Sequence, residues 1–199
     1  MRKLIIAALI ATATTAAFVS IAAAGPFENG AAAFKRGDYS TAMQQWRGLT
    51  ADPMVQNDFG IMYKDGKGMP QNYATAVQWF SRSAAAGNSL GQNNLGGMYR
   101  DGFAVTRDYS RAITFFRAAA QQGNAGGQVN LGLMLMQGQG TRADLVQAYM
   151  WFDLAAHQGV AQAASYRTQV RSRMSSSDVA MATTASQRCR ANNFKNCAA

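Results

Sequence analysis

Apolar residues recur along the middle of this chain in two alternating helical patterns, separated by short polar turns. Within residues 56–64, Phe59 and Met62 lie three residues apart, a spacing that places them on one face of a helix. Residues 73–86 repeat this periodicity, with Ala76 and Phe80 on a common face. Glycine and other polar residues between the two stretches break the first helix. The pattern therefore predicts a pair of helices joined by a turn.

The same pair of helices is encoded three times, at a fixed period of 36 residues. The three units are 56–91, 92–127 and 128–163, and they align without gaps. One unit cannot bury its apolar face alone, so neighbouring units must stack. The sequence predicts an all-α fold, a right-handed α/α superhelix (solenoid) of three helix-turn-helix repeats. The clearest matches are Gly60, Gly96, Gly132, Ala76, Ala112, Ala148, Phe80, Phe116 and Phe152.

A glycine recurs inside the first helix of every unit, at Gly60, Gly96 and Gly132. Glycine within a helix costs about 1 kcal/mol relative to alanine. Its recurrence predicts that another helix approaches so closely that a Cβ atom would clash.

The flanks of the array predict capping elements. Residues 25–55 form a shortened unit without the long turn, in which Trp46 matches Phe80. Residues 164–199 hold the C-terminal capping helices and a basic, cysteine-containing tail. We expect a helix over 161–173 as the first member of a final pair, and a second helix that begins at Ser175 and ends near Arg190.

The motifs of the second unit resemble those of the Sel1-like repeat, a relative of the tetratricopeptide repeat. They are Leu95-Gly96-Gly97-Met98-Tyr99, Asp108-Tyr109, Ala112, Phe115-Phe116, Ala119-Ala120 and Gly123. The resemblance implies a protein-binding scaffold, and exported bacterial members look like adaptors or regulators in the cell envelope. Some cysteine-rich members are linked to β-lactam binding or hydrolysis. Those carry a cysteine pair in each repeat, and this chain has no cysteine in its repeats.

The first 24 residues have the layout of a signal peptide. Arg2 and Lys3 precede an uncharged apolar run that ends in Ala22-Ala23-Ala24, a small-x-small cleavage pattern. The alternative is a membrane anchor, since the run is nearly long enough to span a bilayer. Cleavage predicts a periplasmic or secreted protein.

The chain has two cysteines, Cys189 and Cys197, both near its C-terminus. An even number of cysteines in an exported chain predicts a disulfide between them. Free thiols or intermolecular pairing are the alternatives. The spacing is not Cys-x-x-Cys, which argues against a redox motif.

The formal net charge of +9 is unevenly distributed. Residues 25–159 carry 11 basic and 9 acidic side chains, whereas residues 160–199 carry 6 basic and 1 acidic. Nucleic acid is the usual partner of a basic protein, but an export signal argues against it. An anionic membrane surface or cell wall is the alternative partner for the basic end. Its basic residues are Arg167, Arg171, Arg173, Arg188, Arg190 and Lys195.

The residue inventory predicts neither a catalytic site nor a metal or cofactor site. His157 is the only histidine and Glu28 the only glutamate. A Ser-His-Asp triad would depend on His157, which is expected to be an exposed residue at the end of a helix. No other residue at ligand spacing accompanies it.

The partner-binding surface is expected on the concave face, which the first helices of such superhelices line. A gradient from polar and basic to apolar positions along this face suits an extended peptide or a helix of another protein. The alternative is that these positions are simply solvated. A capped array is expected to be a monomer. The predicted contact residues are Asn57, Ile61, Lys64, Asn93, Gly97, Arg100, Val129, Leu133 and Met136.

Overall fold

A computed structural model describes residues 25–194 and residue 197 of the chain. The predicted signal peptide, residues 1–24, lies outside the described residues, as does Lys195. The all-helical fold is confirmed, with ten helices in the described part. They are α1 (Pro26–Lys35), α2 (Tyr39–Trp46), α3 (Pro53–Asp65), α4 (Tyr73–Ala85), α5 (Ser89–Asp101), α6 (Tyr109–Ala120), α7 (Ala125–Gln137), α8 (Leu145–His157), α9 (Ala161–Arg171) and α10 (Ser176–Ala191).

Side-chain caps fix where the helices of each repeat begin. Asp52 accepts hydrogen bonds from the backbone N–H groups of Met54 and Val55, so α3 begins at Pro53, three residues before the predicted start. A capping oxygen satisfies N–H groups that the helix itself leaves free. The other first and second helices of the repeats are capped in the same way, by Asn88, Asn124, Asn72, Asp108 and Asp144.

The recurrent glycine of each first helix faces an aromatic ring of the following helix, so the close helix approach that the sequence predicted at these three positions is confirmed. A Cβ atom built on Gly60 would come within 2.4 Å of the Phe80 ring, a distance that real atoms do not adopt. Gly96 faces Phe116 and Gly132 faces Phe152 in the same manner. All three phenylalanine rings are fully buried. The missing Cβ therefore lets the two helices of a repeat close on a buried ring.

The N-terminal pair uses the same contact with a larger ring. Gly30 in α1 lies against Trp46 in α2, where a Cβ atom would be 2.3 Å from the indole nitrogen. The indole N–H donates to the carbonyl oxygen of Phe27 at 3.2 Å, so this buried polar group has a partner. The shortened unit over residues 25–55 is thus a helix pair of the same kind.

Neighbouring first helices pack directly against each other, α3 with α5 and α5 with α7. The second helices α4, α6 and α8 instead contact the first helix of the next repeat, and they approach one another less closely. First helices therefore form the inner face of the solenoid and second helices the outer face.

The last helix departs from the repeating arrangement. We expected α9 and α10 to form a final pair, but this expectation is wrong, because α10 packs chiefly against α8. As α7, α9 and α10 surround α8, every residue from Ala148 to Ala155 is buried. The chain then extends back towards the turn after α6, where the Phe194 ring meets Gly123.

A buried carboxylate joins the three C-terminal helices. Asp153 in α8 is 5% exposed and accepts hydrogen bonds from Arg167 in α9 and Ser186 in α10, each at 2.6 Å. The equivalent residues of the first two repeats are Ser81 and Arg117. His157, in the last turn of α8, is exposed as expected, and its Nδ1 lies 2.8 Å from the Asp153 carbonyl oxygen.

A disulfide closes the C-terminal segment. Cys189, near the end of α10, pairs with Cys197 at a Cα–Cα distance of 4.9 Å, as predicted. Both cysteines are buried in the same core cluster as Trp151 and Phe152. The bond ties Cys197 to α10, which itself packs against α8 of the third repeat. No helix among the described residues has the length and apolarity needed to cross a bilayer.

The adjacent glycines Gly96 and Gly97 of α5 provide a matched test of the helix contact. Gly96→Ala should lower the free energy of unfolding by about 1–3 kcal/mol, because the new methyl group overlaps the Phe116 ring. Gly97→Ala should raise it by up to about 1 kcal/mol, since a Cβ there meets no atom within 4 Å. Urea unfolding measures both. Changes of the same sign in the two variants would contradict this account.

Removing the disulfide tests how firmly the C-terminal segment is held. Cys189→Ser with Cys197→Ser should lower the free energy of unfolding by about 2–3 kcal/mol, because the loop is no longer closed in the unfolded chain. Adding a reductant to the wild type should produce the same loss in a denaturant titration. The reductant should not affect the variant. An unchanged unfolding midpoint would refute the stabilising role.

Candidate binding groove

The nine predicted contact residues all lie on the inner-face helices α3, α5 and α7, but only some face open space. Lys64, Asn93, Gly97 and Arg100 line one cavity of about 160 Å³. Arg100 and Leu133 line a second cavity of about 550 Å³. The remaining four residues, Asn57, Ile61, Val129 and Met136, line neither of these two cavities.

The four other predicted residues serve the fold. Asn57 is 1% exposed, so its side chain cannot reach a partner, and this part of the expectation is wrong. Ile61 packs against the core cluster that contains Phe80. Val129 and Met136 pack against the C-terminal core cluster.

Paired asparagines link the first helices across the inner face. Asn94 Nδ2 donates to Asn57 Oδ1 at 2.7 Å, joining α5 to α3. Asn130 Nδ2 donates to Asn93 Oδ1 at 2.8 Å, joining α7 to α5. The two pairs occupy equivalent positions in successive repeats, and in each pair the two asparagines are 37 residues apart in the sequence. The sequence signal for them was the recurrence of Asn57 and Asn93, followed by a polar residue, at one register position.

Arg100 is held rigidly in the groove. Its Nε and Nη2 donate to the two carboxylate oxygens of Asp101 at 2.7 and 2.9 Å, and its Nη1 donates to Asn130 Oδ1 at 3.1 Å. The hydrogen bond to Asp101 raises the pKa of Arg100 above its usual range. A bidentate arginine–carboxylate pair fixes the guanidinium plane. Each Nη nitrogen carries two hydrogens, so further N–H donors remain for a ligand.

Lys64 belongs to a small charge cluster at the same edge of the groove. Its ammonium lies 3.3 Å from Asp65, and Lys67 lies 2.9 Å from the other oxygen of that carboxylate. Burial alone would raise the pKa of Asp65, but hydrogen bonds from Lys67 and Lys64 outweigh it and lower that pKa. The side chain of Lys64 remains 36% exposed and available to a partner.

The two cavities adjoin and share Arg100, Asp101, Phe103 and Asn130, so they form one surface, which we call the inner groove. Phe103 follows α5 in the turn and is 41% exposed. Sequence reasoning missed it because it stands outside the helical periodicity. The other residues of the groove are Lys64, Asn93, Asn94, Gly97, Met98, Arg107, Tyr109, Leu133, Met134, Gln137 and Gln139.

The basic residues near the C-terminus differ in whether they form an ion pair. Arg167 is committed to the buried Asp153 carboxylate. Arg171 and Arg173 are exposed at the end of α9, and Arg188 and Arg190 are exposed near the end of α10. These four arginines have no carboxylate within 4 Å among the described residues.

The repeat itself matches a known family. A model of the Sel1 repeat matches residues 53–88, 89–124 and 125–160, more than half of the chain. The chain belongs to the Sel1 repeat family. The matched units keep the predicted 36-residue period and begin where α3, α5 and α7 begin. Sel1 repeat proteins generally mediate protein–protein interaction, and their scaffold is typically not enzymatic.

Solved structures of proteins with this repeat resemble the chain. A Sel1 repeat protein from Oxalobacter formigenes is 29% identical, with a TM-score of 0.64 over 69% of this chain and 57% of that chain. The protein c5321, a protective antigen present in uropathogenic Escherichia coli strains that displays an SLR fold, is 28% identical. Its TM-score is 0.69 over 75% of this chain and 32% of that chain. This Sel1 chain therefore spans little more than half of the first structure and a third of the second. No curated protein matches the chain.

Asp58 occupies the position of Asn94 and Asn130 in the first Sel1 repeat and offers a test by pH. Burial raises the pKa of Asp58, the nearby Asp52 raises it further, and a hydrogen bond from Asn57 opposes both. The folded-state pKa therefore lies above the unfolded one, so ionisation of Asp58 disfavours the fold as the pH rises through this interval.

The substitution Asp58→Asn should raise the free energy of unfolding at pH 7, because it removes a partly buried charge and introduces the residue of the other two repeats. The gain should shrink as the pH falls through the folded-state pKa and disappear below about 4, the usual value for aspartate. Urea titrations from pH 3 to pH 7 measure the difference. A gain that is constant across this range would exclude the charge as its cause.

Proposed function

We propose that this chain is an exported scaffold that holds a segment of another protein in its inner groove, as an adaptor or regulator in the cell envelope. The observation that carries the proposal is the continuity of this groove across successive first helices. Lys64 on α3, Asn93 and Arg100 on α5, and Leu133 on α7 line adjoining cavities. An extended segment contacts several repeats at once in such a groove.

The rigidity of the groove supports binding. Arg100 is fixed by Asp101 and Asn130, and Asn93 is fixed by its bond with Asn130. Side chains that are already ordered lose little entropy when a partner binds, so more of the contact energy appears as affinity. The groove is therefore organised before a partner arrives.

The disulfide supports a location outside the cytoplasm. Bonds such as Cys189–Cys197 persist in oxidising compartments and are rare in the cytosol. This agrees with the signal peptide that the sequence predicts over residues 1–24.

Four free arginines favour a second candidate function, binding to an anionic membrane or wall surface. Nearly all acidic side chains are engaged in the fold. Asp38, Asp52, Asp108 and Asp144 cap helices, and Asp65, Asp101 and Asp153 form ion pairs. The arginines at the ends of α9 and α10 are left to solvent. Attraction to an anionic surface would be strongly salt-dependent.

Site-specific photo-crosslinking tests the groove. Benzoylphenylalanine replaces Gly97, which lines the groove and where an added Cβ atom meets no other atom within 4 Å. The control position is Gln78, which is exposed on the outer helix α4. In the full chain in its native cells, we expect one protein to crosslink at position 97 and not at position 78. Crosslinks at both positions alike, or none at position 97, would contradict the proposal.

Charge reversal provides the matched control for that experiment. Lys64→Glu with Arg100→Glu should reduce the crosslinked product at least about tenfold, since both cations face the groove. Arg117→Glu with Arg142→Glu makes the same change in net charge at exposed positions outside the groove and should leave the product unchanged. Equal loss in both variants, together with loss in high salt, would favour the anionic-surface function instead.

A further inference from the structure

The turn after α5 departs from the equivalent turns of the other two repeats. Phe103-Ala104 stands where the first repeat has Lys67-Gly68 and the third has Gln139-Gly140. The two glycines have φ angles of +71° and +72°, and Ala104 adopts a φ of +55°. This left-handed conformation is unfavourable for a residue with a Cβ atom. The fold thus tolerates a strained alanine at this one turn.

The same turn differs in how it meets the preceding repeat. A Cβ atom at Gly68 would lie 2.5 Å from Tyr39, and one at Gly140 would lie 2.7 Å from Tyr109. Tyr73 is the equivalent neighbour of the turn after α5. There the Phe103 ring stacks on the Tyr73 ring, with centroids 4.7 Å apart and planes at 8°. The two rings make a flat aromatic platform that the other turns lack.

The platform is exposed and fixed in place. Among the large apolar side chains exposed in the described part of the chain, Phe103 is the only aromatic one. It lies on the wall common to both cavities of the inner groove. An aromatic ring that is held rigidly and still exposed is suited to anchor a partner side chain, because little entropy is lost on contact.

The groove around this platform is positively charged. Lys64, Arg100 and Arg107 line it against the single carboxylate of Asp101. The flanking residues Lys67 and Asp65 contribute one charge of each sign, so the excess of positive charge in the groove is unchanged. A partner segment with carboxylates beside its apolar anchor complements this surface.

We propose that the inner groove recognises a segment of a partner protein in which an aromatic side chain is flanked by acidic residues. The aromatic ring lies against Phe103 in the larger cavity, whose other walls include Tyr109 and Leu133. The flanking carboxylates face Lys64, Arg100 and Arg107. This inference rests on the proposed function, since it specifies what the same groove binds.

The test is selection of a random nonapeptide library displayed on phage against the full chain. We expect the enriched peptides to carry Trp, Tyr or Phe with Asp or Glu within three positions. Replacing the aromatic residue by Ala, or the acidic residues by Lys, should weaken binding of a fluorescein-labelled peptide at least tenfold in anisotropy titrations.

The matched variant is Phe103→Gln with Ala104→Gly, which gives this turn the sequence of the third repeat. It should fold and should bind the selected peptide at least tenfold more weakly. Ala104→Gly alone should keep the affinity and raise the melting temperature, because it relieves the left-handed strain and leaves the platform.

The outcomes separate this inference from the proposed function. Selected peptides that block crosslinking at position 97 but lack the acidic-aromatic pattern, or bind the Phe103→Gln/Ala104→Gly variant equally well, would overturn the inference alone. Failure to select any groove-dependent peptide would also overturn it. The proposed function is tested separately. The absence of any protein crosslink at position 97 would contradict it.

Discussion

The contact between a glycine of one helix and a buried aromatic ring of the next is the interaction on which the rest of the structure depends. Gly60 with Phe80, Gly96 with Phe116 and Gly132 with Phe152 repeat it, and Gly30 with Trp46 extends it to the N-terminal pair. Because no Cβ stands between them, the two helices of a pair close on the ring, and the ring loses its solvent-accessible surface. A larger residue at the glycine would push the pair apart and alter the stacking of every following unit.

This spacing has a consequence for the inner face. With each pair held at a constant separation, successive first helices come close enough for Asn94 to reach Asn57 and for Asn130 to reach Asn93. These bonds connect the first helices of neighbouring units directly. They also position Arg100, whose guanidinium bonds to Asn130. The groove is thus an outcome of the same geometry that stabilises the array.

Most aspartates of the chain act within the fold as helix caps or ion-pair partners, whereas four exposed arginines near the C-terminus have no carboxylate within 4 Å among the described residues. Four aspartates satisfy free N–H groups at helix starts, and three others pair with cations. Among the pairs, Asp153 is the most deeply buried, and it is also the one that joins α8, α9 and α10. A buried carboxylate requires partners on every side, so it fixes the C-terminal helices in one arrangement.

The sequence by itself determined the helices, their pairing and the period of the array, because these follow from local forces. The apolar spacing and the absent Cβ at Gly96 act within one repeat. Only the tertiary structure decided that Asn57 is buried while Phe103 and Arg107 line the groove. It also decided that α10 lies on α8. These outcomes depend on how separate repeats and the C-terminal helix pack against one another. The spacing of residues within one repeat does not determine that packing.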